Sequence, residues 1–268
     1  MLKLDPVESK KIWGYELWLA STHKNGLQKA FAEKCGDFPL LVKIIQADDI
    51  LSVQVHPDDE SARELEGKDE RGKTECWYVL DADEQSQIVY GLKKNVSREE
   101  LKKAVEKNQL EQYLNFVKVK KGDFVFIPST TVHAIGKGLR LLEVQQSGDL
   151  TYRFYDWGRG REVHLEKAFK VMSSKTMPSI QQFSGSFECD YFSLEQINVC
   201  GGWSMYCSGS NASKDTQLLF VLEENHAVIK SPDEKIPTAL KSEDIYAVFP
   251  GEKITVEGKA RIMRIRAK

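Results

Sequence analysis

Leu51-Ser52-Val53-Gln54-Val55-His56-Pro57-Asp58-Asp59 alternates chemically competent side chains with valines at the two-residue period of a β-strand. That period puts Ser52, Gln54 and His56 on one face and Val53 and Val55 on the other. An amphipathic surface strand would carry charges or threonines at the polar positions. A hydroxyl, an amide and an imidazole in one row suit a site instead, with Gln54 and His56 as a pair of metal ligands. The competing interpretation is a polar edge strand with one ordinary surface histidine, so partners elsewhere in the chain carry the argument.

Downstream, Lys73-Thr74-Glu75-Cys76-Trp77-Tyr78-Val79-Leu80 has the same period and places Lys73, Glu75 and Trp77 on one face, Cys76 and Tyr78 on the other. Gly122-Asp123-Phe124-Val125-Phe126-Ile127-Pro128 is a turn followed by an apolar strand, leading through Ser129-Thr130-Thr131-Val132 to His133. Each residue alone has a dull explanation: a glutamate on a solvated face, a histidine that is merely hydrogen-bonded. Together, two histidines and a glutamate form a common zinc set, to which Gln54 can add a carbonyl oxygen.

These residues carry a family resemblance. The run 122–133 resembles the second cupin motif, and Gln54-Val55-His56 stands where the first cupin motif has its His-x-His. More specifically, Phe38-Pro39-Leu40-Leu41-Val42-Lys43-Ile44-Ile45 running into residues 51–59, then Gly72-Lys73-Thr74-Glu75-Cys76-Trp77-Tyr78, then Val132-His133-Ala134-Ile135-Gly136-Lys137-Gly138, then 143–153, ending in Leu150-Thr151-Tyr152-Arg153, closely resembles the type I mannose-6-phosphate isomerases. Those are zinc enzymes of the cupin fold, and this chain is similar to their short form. The likeness is dense from Trp13 to Arg153 and thin afterwards. It has departures. Thr130 stands where the general motif prefers glycine, an exchange without cost if the turn needs no positive φ. Glu75 lies nineteen residues beyond His56 instead of a few, across a charged, helix-prone insert. Ile12-Trp13-Gly14-Tyr15-Glu16-Leu17-Trp18 fuses two motifs that longer relatives keep apart, which points to a remodelled pocket rim.

Composition excludes other classes. A chain of 268 residues, 41% hydrophobic, can bury one large core or two ordinary ones. A net charge of −2 offers no basic field for nucleic acid, and Lys118, Lys120 and Lys121 lack interleaved aromatics. Five cysteines without a Cys-x-x-Cys pair make neither a disulfide framework nor a structural zinc site. With no signal peptide and no long apolar run, the expectation is a cytoplasmic protein without a membrane partner.

Ser97-Arg98-Glu99-Glu100 is a capping box opening a helix to about Leu114, and residues 164–172 read as a connecting helix, with Pro178 marking the crossing. From Tyr191 the chain shows β runs at 192–199, 218–222 and 245–249. Asp244-Ile245-Tyr246-Ala247-Val248-Phe249-Pro250 repeats the Asp-to-Pro strand of the first half, yet Thr255 stands where the first half has His133, and His226 is the only histidine here. The second half therefore reads as a barrel without a metal.

The expected fold is mainly β, two cupin (jelly-roll) barrels with a few short helices. Residues 1–160 form the catalytic barrel with a helical insert, 161–185 a helix and linker, and 186–268 a second barrel without a metal site. The resemblance implies interconversion of mannose 6-phosphate and fructose 6-phosphate through an enediolate, with one Zn2+ per chain held by Gln54, His56, Glu75 and His133. It further implies Lys73 and Arg153 as catalytic cations, Ser52 and Lys43 on the phosphate, and Glu143 as a substrate-pocket residue. The general base stays open between a metal-bound water, His133 and a carboxylate. The expected partner is a phosphosugar, and the expected state a monomer or weak homo-oligomer. Alternatives are a cupin-type glucose-6-phosphate isomerase, an iron oxygenase of the same fold, and a non-catalytic sugar-phosphate-binding cupin; the oxygenase would not need Lys43, Lys73 and Arg153.

Overall fold

The structure, a computed structural model, describes residues 1–93, 96–107, 109–173 and 177–268. It is mainly β, with short helices, and it divides into two compact units. One gathers Met1–Val7, Trp18–Val42 and Ser184–Lys268; the other gathers Glu8–Leu17 and Lys43–Phe183. The units are thus not consecutive stretches meeting near 160–186.

In the second of these units a five-stranded sheet runs in the order Tyr152–Tyr155, Val53–Val55, His133–Ile135, Gln87–Leu92, Leu114–Lys118. A seven-stranded sheet, most of whose residues belong to the same unit, runs Gln181–Gln182, Asp123–Ile127, Glu75–Ala82, Leu139–Gln146, Leu40–Ala47, Gly14–Ala20, Val7–Lys11. Ile88, Tyr90 and Ile135 of the first meet Trp77, Val79, Val125, Ile127 and Leu141 of the second in one core. The other face of the five-stranded sheet is also covered: Val53, Val55, Ala134, Tyr152 and Phe154 pack with Leu101 of the helix Arg98–Glu106 and Ala168 and Phe169 of the helix Leu165–Val171. Burial on both faces explains why these strands combine valines with site residues: the valines seat the helices while the alternate positions look into the sandwich.

The capping box at Ser97 forms as expected, but the helix stops at Glu106 and a 3-10 turn, Leu110–Tyr113, precedes the next strand. The insert begins as a helix, Asp59–Glu66, capped by Asp58, and returns where it left, since Lys73 N–H donates to the Pro57 carbonyl at 3.0 Å. Gly72 permits that return: a Cβ there would lie 2.6 Å from the Asp58 carbonyl carbon and the Asp59 nitrogen. Thr130 corrects an expectation. Its φ is +73°, so the turn before His133 does demand the left-handed region, and a β-branched residue supplies it.

In the other unit, three long strands, Phe192–Tyr206, Gln217–Lys230 and Lys253–Ala267, form the centre of a seven-stranded antiparallel sheet, flanked by Ile245–Val248 and the N-terminal Leu2–Lys3. Its core includes Val199, Leu219, Val221, Tyr246, Val248 and Ile262. All five cysteines are free. No helix among the described residues is long and apolar enough to cross a membrane.

Candidate active site

Strand register assembles the site. Gln54 is the Cα partner of His133 on one side and of Arg153 on the other, so three adjacent strands present these side chains as a row on the inner face. A register shift follows Arg153, a local bulge that re-aims the strand. In the seven-stranded sheet Glu75 pairs with Gln145 and with Ile127, and Glu143 with Trp77. His56 and His133, 1% and 0% exposed, bracket a wholly buried Glu75. Among the described residues this trio is the one cluster of potential metal ligands, its ligand atoms all within 4.8 Å of one another.

Hydrogen bonding defines the tautomers. His56 Nδ1 lies 2.8 Å from the Leu150 carbonyl and His133 Nδ1 2.9 Å from the Thr131 carbonyl. A carbonyl only accepts, so each Nδ1 carries the proton and each Nε2 turns an unprotonated lone pair inward, that of His56 lying 3.2 Å from Lys73 Nζ. Burial, assisted by Lys73, holds both imidazoles neutral: it lowers His133 to about 4 and His56 well below its ordinary range. Glu75 Oε1 is 3.3 Å from His133 Nε2 and Oε2 is 3.6 Å from His56 Nε2. Neither carboxylate oxygen accepts a well-directed hydrogen bond; Lys73 Nζ approaches Oε2 at 2.7 Å as an ion pair. Two inward lone pairs and a buried carboxylate short of donors are what a divalent cation with nitrogen and oxygen ligands requires, and the cluster fits a metal site. Gln54 Nε2 is 3.3 Å from His133 Nε2, so its amide, turned over, brings a carbonyl oxygen to the same centre.

Around this centre lies a buried charge network. Lys73 Nζ is 3.9 Å and Lys43 Nζ 3.5 Å from Glu143 Oε1, and Lys43 is also 3.9 Å from Glu16. Burial alone would depress Lys73, but the Glu143 and Glu75 carboxylates outweigh it and raise its pKa. Burial raises Glu143, against the pull of Lys73. Trp77 Nε1 donates to Glu143 Oε2 at 2.9 Å, leaving Oε1 toward the ammoniums. Lys43 is therefore shared between two carboxylates. Ser52 is buried on the same strand face as Gln54.

Arg153 is half-buried and donates to the Glu162 carbonyl at 2.6 Å, while its Nε has no partner. Burial and the neighbouring Arg161 lower its pKa. Asp156, the obvious counterion, is occupied: Arg159 reaches it at 2.9 Å and Arg161 holds both oxygens at 2.8 and 2.5 Å. Arg153 has no carboxylate within ion-pair distance among the described residues.

All nine expected site residues lie in the unit comprising 8–17 and 43–183. The ligand trio, Gln54, Lys73, Lys43 and Glu143 form one connected cluster, with Arg153 in register beside Gln54. Sequence reasoning missed Glu16, the Trp77 donor and the Asp156 clamp, whose partners are distant or lie in a loop without periodicity. It also missed the brace around Lys73, in which Gln146 Oε1 accepts from Thr74 N–H and Asp59 Oδ1 accepts from Gly72 N–H and Gln146 Nε2.

Comparison with known proteins places these residues in context. The family described as "Phosphomannose isomerase type I, catalytic domain" matches residues 12–75. Mannose-6-phosphate isomerase ManA of Bacillus subtilis (strain 168) is 42% identical over 207 residues, 71% of this chain and 63% of that protein. Probable mannose-6-phosphate isomerase GmuF of the same organism is 32% identical over 254 residues, 75% of this chain and 80% of that protein. The matched region thus spans less than two thirds of ManA's length. The crystal structure of the mannose 6-phosphate isomerase from Bacillus subtilis superposes with a TM-score of 0.82 at 28% identity, covering 98% of both chains. A mannose 6-phosphate isomerase crystal structure bound with zinc and yttrium superposes at 0.72 with 16% identity over 99% of both, a likeness of fold alone.

Proposed function

The chain belongs to the type I mannose-6-phosphate isomerase family, and from that premise we propose that it interconverts mannose 6-phosphate and fructose 6-phosphate, using one zinc ion per chain. The observation that carries the reading is the convergence of two inward Nε2 lone pairs and a donor-poor Glu75 beside two buried ammoniums. Gln54, His56, Glu75 and His133 would hold the metal, which when bound supplies Lewis-acid polarisation of the substrate's oxygens.

The chain's own residues account for the rest. Moving hydrogen between C1 and C2 needs removal of a proton next to a carbonyl and stabilisation of the enediolate. Glu143, outside the ligand set and with a raised pKa, is suited to carry that proton, and Trp77 orients it. His133 is not suited, because its Nδ1–H donates to the Thr131 carbonyl and its Nε2 faces the centre. Lys73 and Arg153 stabilise the oxyanion, and Arg153 keeps its charge throughout. Ser52 and Lys43 address the phosphate.

A coupled assay on zinc-loaded and exhaustively chelated protein, with mannose 6-phosphate beside glucose 6-phosphate, tests the proposal. Turnover of mannose 6-phosphate should require the metal and exceed that of glucose 6-phosphate. Activity undiminished by chelation, or confined to glucose 6-phosphate, refutes it.

A further inference from the structure

The atoms assigned to the metal already have a cationic neighbour. Lys73, 6% exposed, sets Nζ 2.7 Å from Glu75 Oε2 and 3.2 Å from His56 Nε2, so one ammonium touches two of the three groups in the ligand trio. A dication coordinated by those same atoms would lie beside this ammonium and repel it, and the single lone pair of His56 Nε2 can serve only one of them. Lys73 has somewhere else to go. Glu143 Oε1, which accepts no well-directed hydrogen bond and has Lys43 Nζ beside it at 3.5 Å, lies 3.9 Å from Lys73 Nζ, while Trp77 fixes the other oxygen of that carboxylate. The lysine backbone is braced at Pro57, and the neighbouring Thr74 at Gln146, so the four-carbon stem can swing while its root stays fixed.

We propose that the Lys73 ammonium holds the cation position of the metal-free enzyme and withdraws from Glu75 toward Glu143 when the metal enters. The inference rests on the metal-site assignment made above. It gives Lys73 a positioning role in addition to its catalytic one. Without the metal, Lys73 keeps a wholly buried carboxylate partnered and the pocket formed; with the metal, its charge moves to the carboxylate assigned to proton transfer. A lysine that stayed on Glu75 in both states would be an ordinary fixed ion pair.

The test compares wild type with Lys73→Met, both stripped of metal by chelation. Zinc affinity is measured by competition with a chromophoric chelator, and thermal unfolding is followed with and without zinc. The variant should bind zinc tighter by on the order of tenfold or more, because an internal competitor is gone. Its metal-free form should melt below metal-free wild type, and zinc should close that gap. If the metal-free variant does not fold, crystal structures of metal-free and zinc-loaded wild type carry the test: Nζ should be on Glu75 in the first and beyond hydrogen-bond reach of it in the second. Equal or weaker zinc binding by the variant, or Nζ on Glu75 in the loaded crystal, overturns the stand-in and leaves the metal site intact. Failure of wild type to bind zinc overturns the metal site and the stand-in with it.

Discussion

If Arg153 acts as a catalytic cation, binding and chemistry separate at this residue. Because Arg159 and Arg161 occupy Asp156, its charge is not neutralised by the nearest carboxylate. A group that acts in the transition state lowers kcat more than it raises KM. Arg153→Ala should therefore keep its metal and bind mannose 6-phosphate within a few-fold of wild type, yet lose on the order of a hundredfold in kcat. Near wild-type turnover in steady-state kinetics would remove Arg153 from the mechanism. The histidines give a second expectation. The unfolded chain protonates an imidazole near 6.5, whereas buried His133 resists until about 4, so the unfolded state binds more protons between those values. Stability of the metal-free protein should fall as pH drops through that window, by on the order of 3 kcal/mol for His133, with His56 adding in the same direction. Glu143, raised by burial, opposes the trend, so Glu143→Gln should steepen it. Urea midpoints of chelated protein from pH 7 to 4 measure the slope, and a flat profile contradicts the assignment. At this scale the inward row Ser52, Gln54 and His56 was readable because strands alternate strictly. The Trp77–Glu143 bond was not, since its partners are sixty-six residues apart and nothing local announces them.

The turn before the His133–Ile135 strand shows what an element costs. Thr130 sits at φ +73°, held by donation of its N–H to the His56 carbonyl and acceptance from Ser173 N–H. The left-handed region costs an L-residue about 1–2 kcal/mol, and glycine's greater freedom when unfolded returns about 0.5–1 of it. Thr130→Gly should accordingly stabilise the protein by about 0.5–1 kcal/mol in denaturant titration. A destabilised variant would mean that the threonine side chain contributes more than its strain removes. Sequence reading had the turn and the following histidine but not the backbone angle, because residue type alone does not reveal a strained exception. Element ends were the other blind spot. The strand expected at 192–199 continues to Tyr206, because Cys200, Gly201 and Gly202 are exposed and leave no alternation to follow. The helix expected to reach Leu114 ends at Glu106, where Lys107 leaves helical geometry.

At the scale of the whole molecule, the N-terminal strand pairs Leu2 with Ala247, and the compact unit so formed includes Trp18–Val42. No period in a sequence encodes a pairing across that distance, which is why a division into consecutive segments missed it. Among the described residues the candidate metal cluster, His56, Glu75 and His133, lies in the other unit. His226 is exposed, lies at φ +54°, and has no ligand partner in the His/Cys/Asp/Glu clusters of the described residues. His226→Ala should leave zinc content at the wild-type value and kcat unchanged; a second zinc bound near it in a crystal would contradict this. The excursion between His56 and Glu75 has a practical consequence. It leaves and returns where Lys73 N–H donates to the Pro57 carbonyl and Gly72 N–H to Asp59 Oδ1, and its helix is tied down separately where Glu66 meets Lys167 and Tyr152 and Glu64 meets Lys170. The exposed stretch Gly67-Lys68-Asp69 is thus free of the site's geometry although it falls between the proposed ligands His56 and Glu75 in sequence. A protease cut there should leave two fragments that stay associated, retain zinc and turn over together. The same point could accept an inserted reporter peptide, making the enzyme a scaffold whose severed halves regain activity only when they meet.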